Sequence, residues 1–138
     1  MQTYQVSSTA KTDLIYESRA EDRVVVMDAG SGENKGQSPM ELVLSALAGC
    51  ATVDVIEILK KRRKTVDGLT VDADAERRDE PFPRIFTKIK LTFKLSSPDA
   101  SQEELDKAIA LSVEKYCSVR GMITPEAEVV TEGVLIRP

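Results

Sequence analysis

The sequence predicts an α+β fold in the order βββ-α-ββ-α-β, and three observations carry that prediction. Residues 85–95 read as a half-buried strand, with Ile85, Ile89, Leu91, Phe93 and Leu95 on one face and Lys88, Lys90 and Lys94 on the other. Two helix starts, at Ser38 and Ser101, each place a glutamate three residues after the serine, as a capping box requires. Stretches rich in glycine, proline and polar residues separate these segments from the strands around them. The 138 residues suit a single domain, 1–138, at roughly 100–200 residues per domain.

Residues 2–28 read as three short strands, Thr3 to Ser7, Leu14 to Ser18 and Arg23 to Met27, with Ser8-Thr9-Ala10-Lys11 as a turn. Asp28 to Gln37 holds three of the seven glycines and almost nothing apolar, which predicts a flexible loop. A helix then starts at Ser38, with Pro39 in its first position and Glu41 closing the cap, and runs to about Arg63. The basic run Lys60 to Lys64 falls at the helix end that the macrodipole makes negative, which fits a solvated terminus. Between Leu42 and Leu59 the helix is apolar nearly all round, so it should be buried on most sides. Glu41, Asp54 and Glu57 argue against a membrane span. One small chain can hardly cover such a helix, so a homodimer is expected. Gly49, inside the helix, suggests that another backbone or a ligand comes close.

Residues 85–95 should bury Ile85, Thr87, Ile89, Leu91, Phe93 and Leu95 and expose Lys88, Lys90, Thr92 and Lys94. The preceding strand places Leu69, Val71, Ala73 and Ala75 inward and its acidic residues outward. An antiparallel hairpin would therefore set opposite charges face to face. A second helix over 101–117 carries Leu105, Ile109, Val113 and Cys117 along one face. Gly121 and Pro125 break the chain before a last strand at Glu128–Ile136.

The formal charge of −4 gives no basic field for nucleic acid or an anionic membrane. With no histidine in the chain, Ser-His and Cys-His dyads and most transition-metal sites are excluded. No metal or organic cofactor is expected. The two cysteines, Cys50 and Cys117, are too few and too far apart for a CxxC motif or a four-cysteine zinc set. The N-terminal run shows no basic segment followed by an apolar one, so a cytoplasmic location with free thiols is expected. From the residues alone, Cys50 reads first as a packed structural thiol at a helix crossing, beside small neighbours, and only second as chemistry.

Ser38-Pro39-Met40-Glu41-Leu42, then Cys50, then Tyr116-Cys117-Ser118-Val119, in this order of strands and helices, resemble the OsmC/Ohr family of osmotically inducible and organic hydroperoxide resistance proteins. The likeness is greatest to an uncharacterised OsmC-like branch. The resemblance implies an intertwined homodimer, with two long central helices between sheets shared by the protomers. It also implies a thiol-dependent peroxidase reducing organic hydroperoxides in oxidative stress defence. Cys50 matches the attacking thiol and Cys117 the resolving one, and a dithiol reductant would reopen their disulfide.

The family holds its thiolate with an arginine braced by a glutamate. Here Arg19 and Arg23 are the candidates by neighbourhood, Lys11 stands where other members have arginine, and Glu41 lies one position after the organic hydroperoxide branch's glutamate. Asp54, one helical turn past Cys50, adds a negative charge to that face. Phe82, between Pro81 and Pro83 on the hairpin connection, is the candidate substrate-binding ring. The alternative function is a non-catalytic dimeric module of the same fold that holds a small apolar ligand.

Overall fold

Three strands open the chain as an antiparallel meander, β1 (Ser7–Ala10), β2 (Ile15–Ala20) and β3 (Arg23–Asp28). They belong to the first of two units, Met1–Val43 and Leu44–Pro138, in a computed structural model that describes residues 1–138. β2 and β3 lie close to expectation, but β1 does not. Ser8, Thr9 and Ala10, read as a turn, are the strand itself, while Thr3 to Val6 lies outside it. The cause is the tight turn at 11–14, in which the Lys11 and Thr12 N–H groups both donate to the Ile15 carbonyl. Pairing therefore starts at Ala10 opposite Tyr16 and runs back to Ser7 opposite Arg19. Val24, Val25 and Val26 on β3 stay exposed, so this small sheet leaves apolar surface uncovered.

The glycine-rich stretch after β3 is organised around one carboxylate rather than slack. Asp28 accepts hydrogen bonds from the Gly30, Ser31 and Lys35 N–H groups and from the Ser31 hydroxyl. The Ser31 hydroxyl leads these contacts in holding its carboxyl far below the ordinary range. Gly36 must be glycine here, because a Cβ would collide with the Val26 carbonyl.

α1 (Pro39–Lys61) begins as predicted: the Glu41 N–H donates to Ser38 Oγ at 3.1 Å, and the Ser38 N–H donates to the Glu41 carboxylate at 2.9 Å. Its far end is a Schellman turn, with the Lys64 N–H on the Leu59 carbonyl and the Arg63 N–H on the Lys60 carbonyl. Arg63 takes φ of 61° there, the left-handed conformation that favours glycine. Arg63→Gly should therefore raise stability by about 0.5–1 kcal/mol, read as a higher urea midpoint at unchanged slope.

One stripe of α1, Leu47, Ala51, Val55 and Leu59, is fully buried. The single chain leaves other faces of the helix open, as expected of a helix that one small chain can hardly cover: Val43 and Val53 are exposed, and nothing lies within 4 Å of a Cβ built on Gly49. No part of the chain makes the close approach that Gly49 suggested. By length and composition α1 could cross a membrane, but its stripe belongs to a core with β5 and α2, and Asp54 and Glu57 sit along it.

In the second unit β4 (Gly68–Arg77) and β5 (Phe86–Ser96) form the expected antiparallel hairpin, and β6 (Glu128–Ile136) adds parallel to β5. Ile89, Leu91, Phe93 and Leu95 are fully buried, so the predicted register holds from Ile89 onward. It fails before that residue. Glu76 pairs with Lys88 but Arg77 with Phe86, and this bulge turns Phe86 toward the core and leaves Thr87 exposed. Asp74 faces Lys90 and Glu76 faces Lys88, while Lys94 reaches Asp72 at 2.7 Å.

The parallel pairing of β6 requires a crossover, supplied by α2 (Gln102–Leu111), a π-helical turn (Ser112–Tyr116) and α3 (Ser118–Ile123). α2 starts in the predicted capping box at Ser101. The single helix expected over 101–117 is corrected: the α-helical bonding stops at Leu111, and Gly121, read as a break, lies inside α3.

A cysteine pair with a carboxylate as candidate functional site

α1 presents Cys50 and Asp54 one turn apart on the same face. Cys117 arrives from the other side because α2 widens at its end. In the π-helical turn the Cys117 N–H reaches back five residues to the Ser112 carbonyl, at 2.7 Å, and Cys117 itself leaves the helix with φ −72° and ψ 100°. Ser112, fully buried at the start of that turn, donates its hydroxyl to Asp54 Oδ2 at 2.9 Å. The outcome is a cluster in which the Cys50 sulfur, the Cys117 sulfur and an Asp54 carboxylate oxygen all lie within 4.8 Å of one another. Both thiols are free, Cys50 half-buried and Cys117 only 5% exposed.

Burial is the main cause that pushes the Cys117 thiol up to about 11. The Arg120 N–H opposes it, while contact with Cys50 and the Asp54 charge add to it. In a Cys50→Ser chain, which keeps the burial but loses the Cys50 contribution, Cys117 should resist alkylation by iodoacetamide at neutral pH and yield only above the ordinary thiol range of about 8.5, followed by mass. The raised value means that the folded state holds this proton more tightly than the unfolded chain does. The resulting stabilisation is complete below the unfolded thiol pKa of about 8.5 and is lost as the pH rises from there toward 11.

Of the other predicted site residues, the cluster includes none. Glu41 is engaged in the α1 cap, which holds its carboxyl below the usual range through the Ser38 N–H. Arg19 pairs with Glu17 on β2 at 3.5 Å, a contact that Lys11 shares at 3.8 Å. Arg23 donates to the Ala20 carbonyl and pairs with Glu21. The Phe82 ring is 77% exposed, with the Arg84 guanidinium 5.3 Å from its centre.

Sequence reasoning missed Ser112, whose role depends on a π-helical turn that no local pattern announces. It also missed Arg120, three residues past Cys117, whose buried Nε has no hydrogen-bond partner. A cleft of about 290 Å³ adjoins the cluster, lined by Asp54, Glu57, Ile58, Lys61, Arg62, Leu111 and Tyr116.

The family model for OsmC-like proteins matches residues 32–132, a span that includes α1, both cysteines and most of β6. The chain belongs to the OsmC-like family. Among curated relatives of this OsmC-like chain, Protein YhfA of Escherichia coli K12 is 44% identical over 99 residues, 72% of each chain. Among solved structures, a hypothetical protein from Aquifex aeolicus VF5 superposes with a TM-score of 0.89 at 27% identity, over 100% of this chain and 99% of that one. The organic hydroperoxide resistance protein OhrB of Bacillus subtilis shares the fold, with a TM-score of 0.67 at 15% identity over 96% and 98% of the two chains. The α+β architecture read from the sequence is thus that of the OsmC/Ohr family.

Proposed function

We propose that this OsmC-like protein is a thiol-dependent peroxidase that reduces organic hydroperoxides through Cys50 and Cys117. The observation that carries the reading is the approach of two sulfurs, 67 positions apart in the chain, to within 4.8 Å. The Cys50 thiolate attacks the terminal peroxide oxygen, the O–O bond breaks, and an alcohol leaves with a proton while Cys50 becomes a sulfenic acid. The Cys117 sulfur then attacks the Cys50 sulfur, the two protons and the oxygen leave as water, and a dithiol reductant later reopens the disulfide. Disulfide closure requires Cα atoms about 4.4–6.8 Å apart. The relation to a protein named for organic hydroperoxide resistance supports this substrate class. One equivalent of cumene hydroperoxide should remove both free thiols and lower the chain mass by two hydrogens. Persistence of both thiols after ten equivalents would refute the reading.

The same proposal includes a homodimer. Val43 and Val53 on α1 and three consecutive valines on β3 are apolar and exposed in the single chain, and a second copy would cover them. Light scattering at micromolar concentration should give twice the 15.2 kDa chain mass. Val53→Asp, which alters no residue of the single-chain core, should shift the protein to monomer. A wild-type monomer would refute the dimer.

A further inference from the structure

The three donors of the cysteine cluster also meet the geometric requirement of a metal site. Three points no more than 4.8 Å apart share a centre no more than 4.8/√3, about 2.8 Å, from each of them. Zinc holds thiolate sulfur at about 2.3 Å and carboxylate oxygen at about 2.0–2.2 Å, so the donors need to draw in by less than about 1 Å. The donors come from α1 and from the end of the π-helical turn, and the buried Ser112 hydroxyl fixes the Asp54 carboxylate, as an outer-shell partner orients a metal ligand.

We infer that Cys50, Asp54 and Cys117 form a zinc site with its fourth position open. Two sulfurs and one carboxylate select a borderline-soft ion over magnesium or calcium, which take oxygen ligands. Cys50 is half-buried, and a cleft reaches the cluster at Asp54, so the site is open to solvent from those two donors. Binding is balanced by the release of one proton from each thiol, which leaves two thiolates, one carboxylate and one divalent ion with a net charge of −1. The sulfurs that hold zinc cannot at the same time form a disulfide, so metal loading and oxidation exclude each other. The site stands independently of the peroxidase reading, because it is defined in the reduced protein with no peroxide present.

The test is a Co²⁺ titration of the reduced, full-length protein without oxygen. One Co²⁺ per chain should give thiolate-to-cobalt charge-transfer absorption, which one equivalent of Zn²⁺ abolishes by displacement. Cys50→Ser and Cys117→Ser should each lose most of that absorption. Asp54→Asn and Ser112→Ala should weaken the affinity about 10- to 100-fold with unchanged far-ultraviolet circular dichroism. In the wild type, where folding is not at issue, one equivalent of Zn²⁺ should protect Cys50 from alkylation. No charge transfer in the wild type, or undiminished binding in Cys117→Ser or Asp54→Asn, would overturn the site. Absent peroxide turnover in the metal-free wild type counts against the redox reading alone.

Discussion

Cys50→Ser is expected to abolish dithiol-dependent consumption of an organic hydroperoxide, whereas Cys117→Ser should leave one reduction per subunit and no disulfide. The asymmetry follows from accessibility and position. Cys50 is half-buried on α1, while Cys117 is 5% exposed, with a thiol raised to about 11 that is almost wholly protonated at neutral pH. On the proposed reading only the first meets a peroxide. The second, with its sulfur within 4.8 Å of the first, would trap the sulfenic acid. Rapid-mixing measurement of peroxide loss, with mass analysis of the trapped sulfenic acid in Cys117→Ser, separates the two roles. Equal loss in both variants would mean that the thiols act as a unit in some other chemistry, and no turnover in the wild type would mean inert core cysteines.

Phe93→Ala should cost about 3–5 kcal/mol, the largest stability loss from any single truncation in the β4-β5-β6 sheet. Phe93 is the largest fully buried side chain, set between Val71 on β4 and Gly133 on β6. Gly133 lies so near α2 that a Cβ there would sit 2.8 Å from Ile109 Cδ1, so the helix is close against β6 beside the ring. Little can move in to fill the space that truncation leaves. Thr87→Ala, on the exposed bulge of the same strand, should change stability by no more than about 0.5 kcal/mol. Urea unfolding of both variants tests the register, because a strand without the bulge would bury Thr87.

The sequence by itself determined the order of the strands and of the two helix starts, both capping boxes, the last strand and the inward row Ile89 to Leu95. Each of these rests on contacts within a few residues or on a two- or four-residue period, which a linear reading can follow. The resemblance also singled out Cys50 and Cys117 as a pair. Tertiary structure decided the rest. β1 took its place from the turn that pairs it with β2, and Thr87 was turned outward by a bulge that depends on β4. α2 opened into a π-helical turn that aims the Ser112 hydroxyl at Asp54 and carries Cys117 to Cys50. The bulge and the Ser112–Asp54 contact have no local signal, because each depends on a partner in another segment; the turn at 11–14 is local but holds no glycine or proline to announce it. The three groups of the cluster come from residues 50, 54 and 117, so their meeting is a property of how α1 and the end of α2 pack.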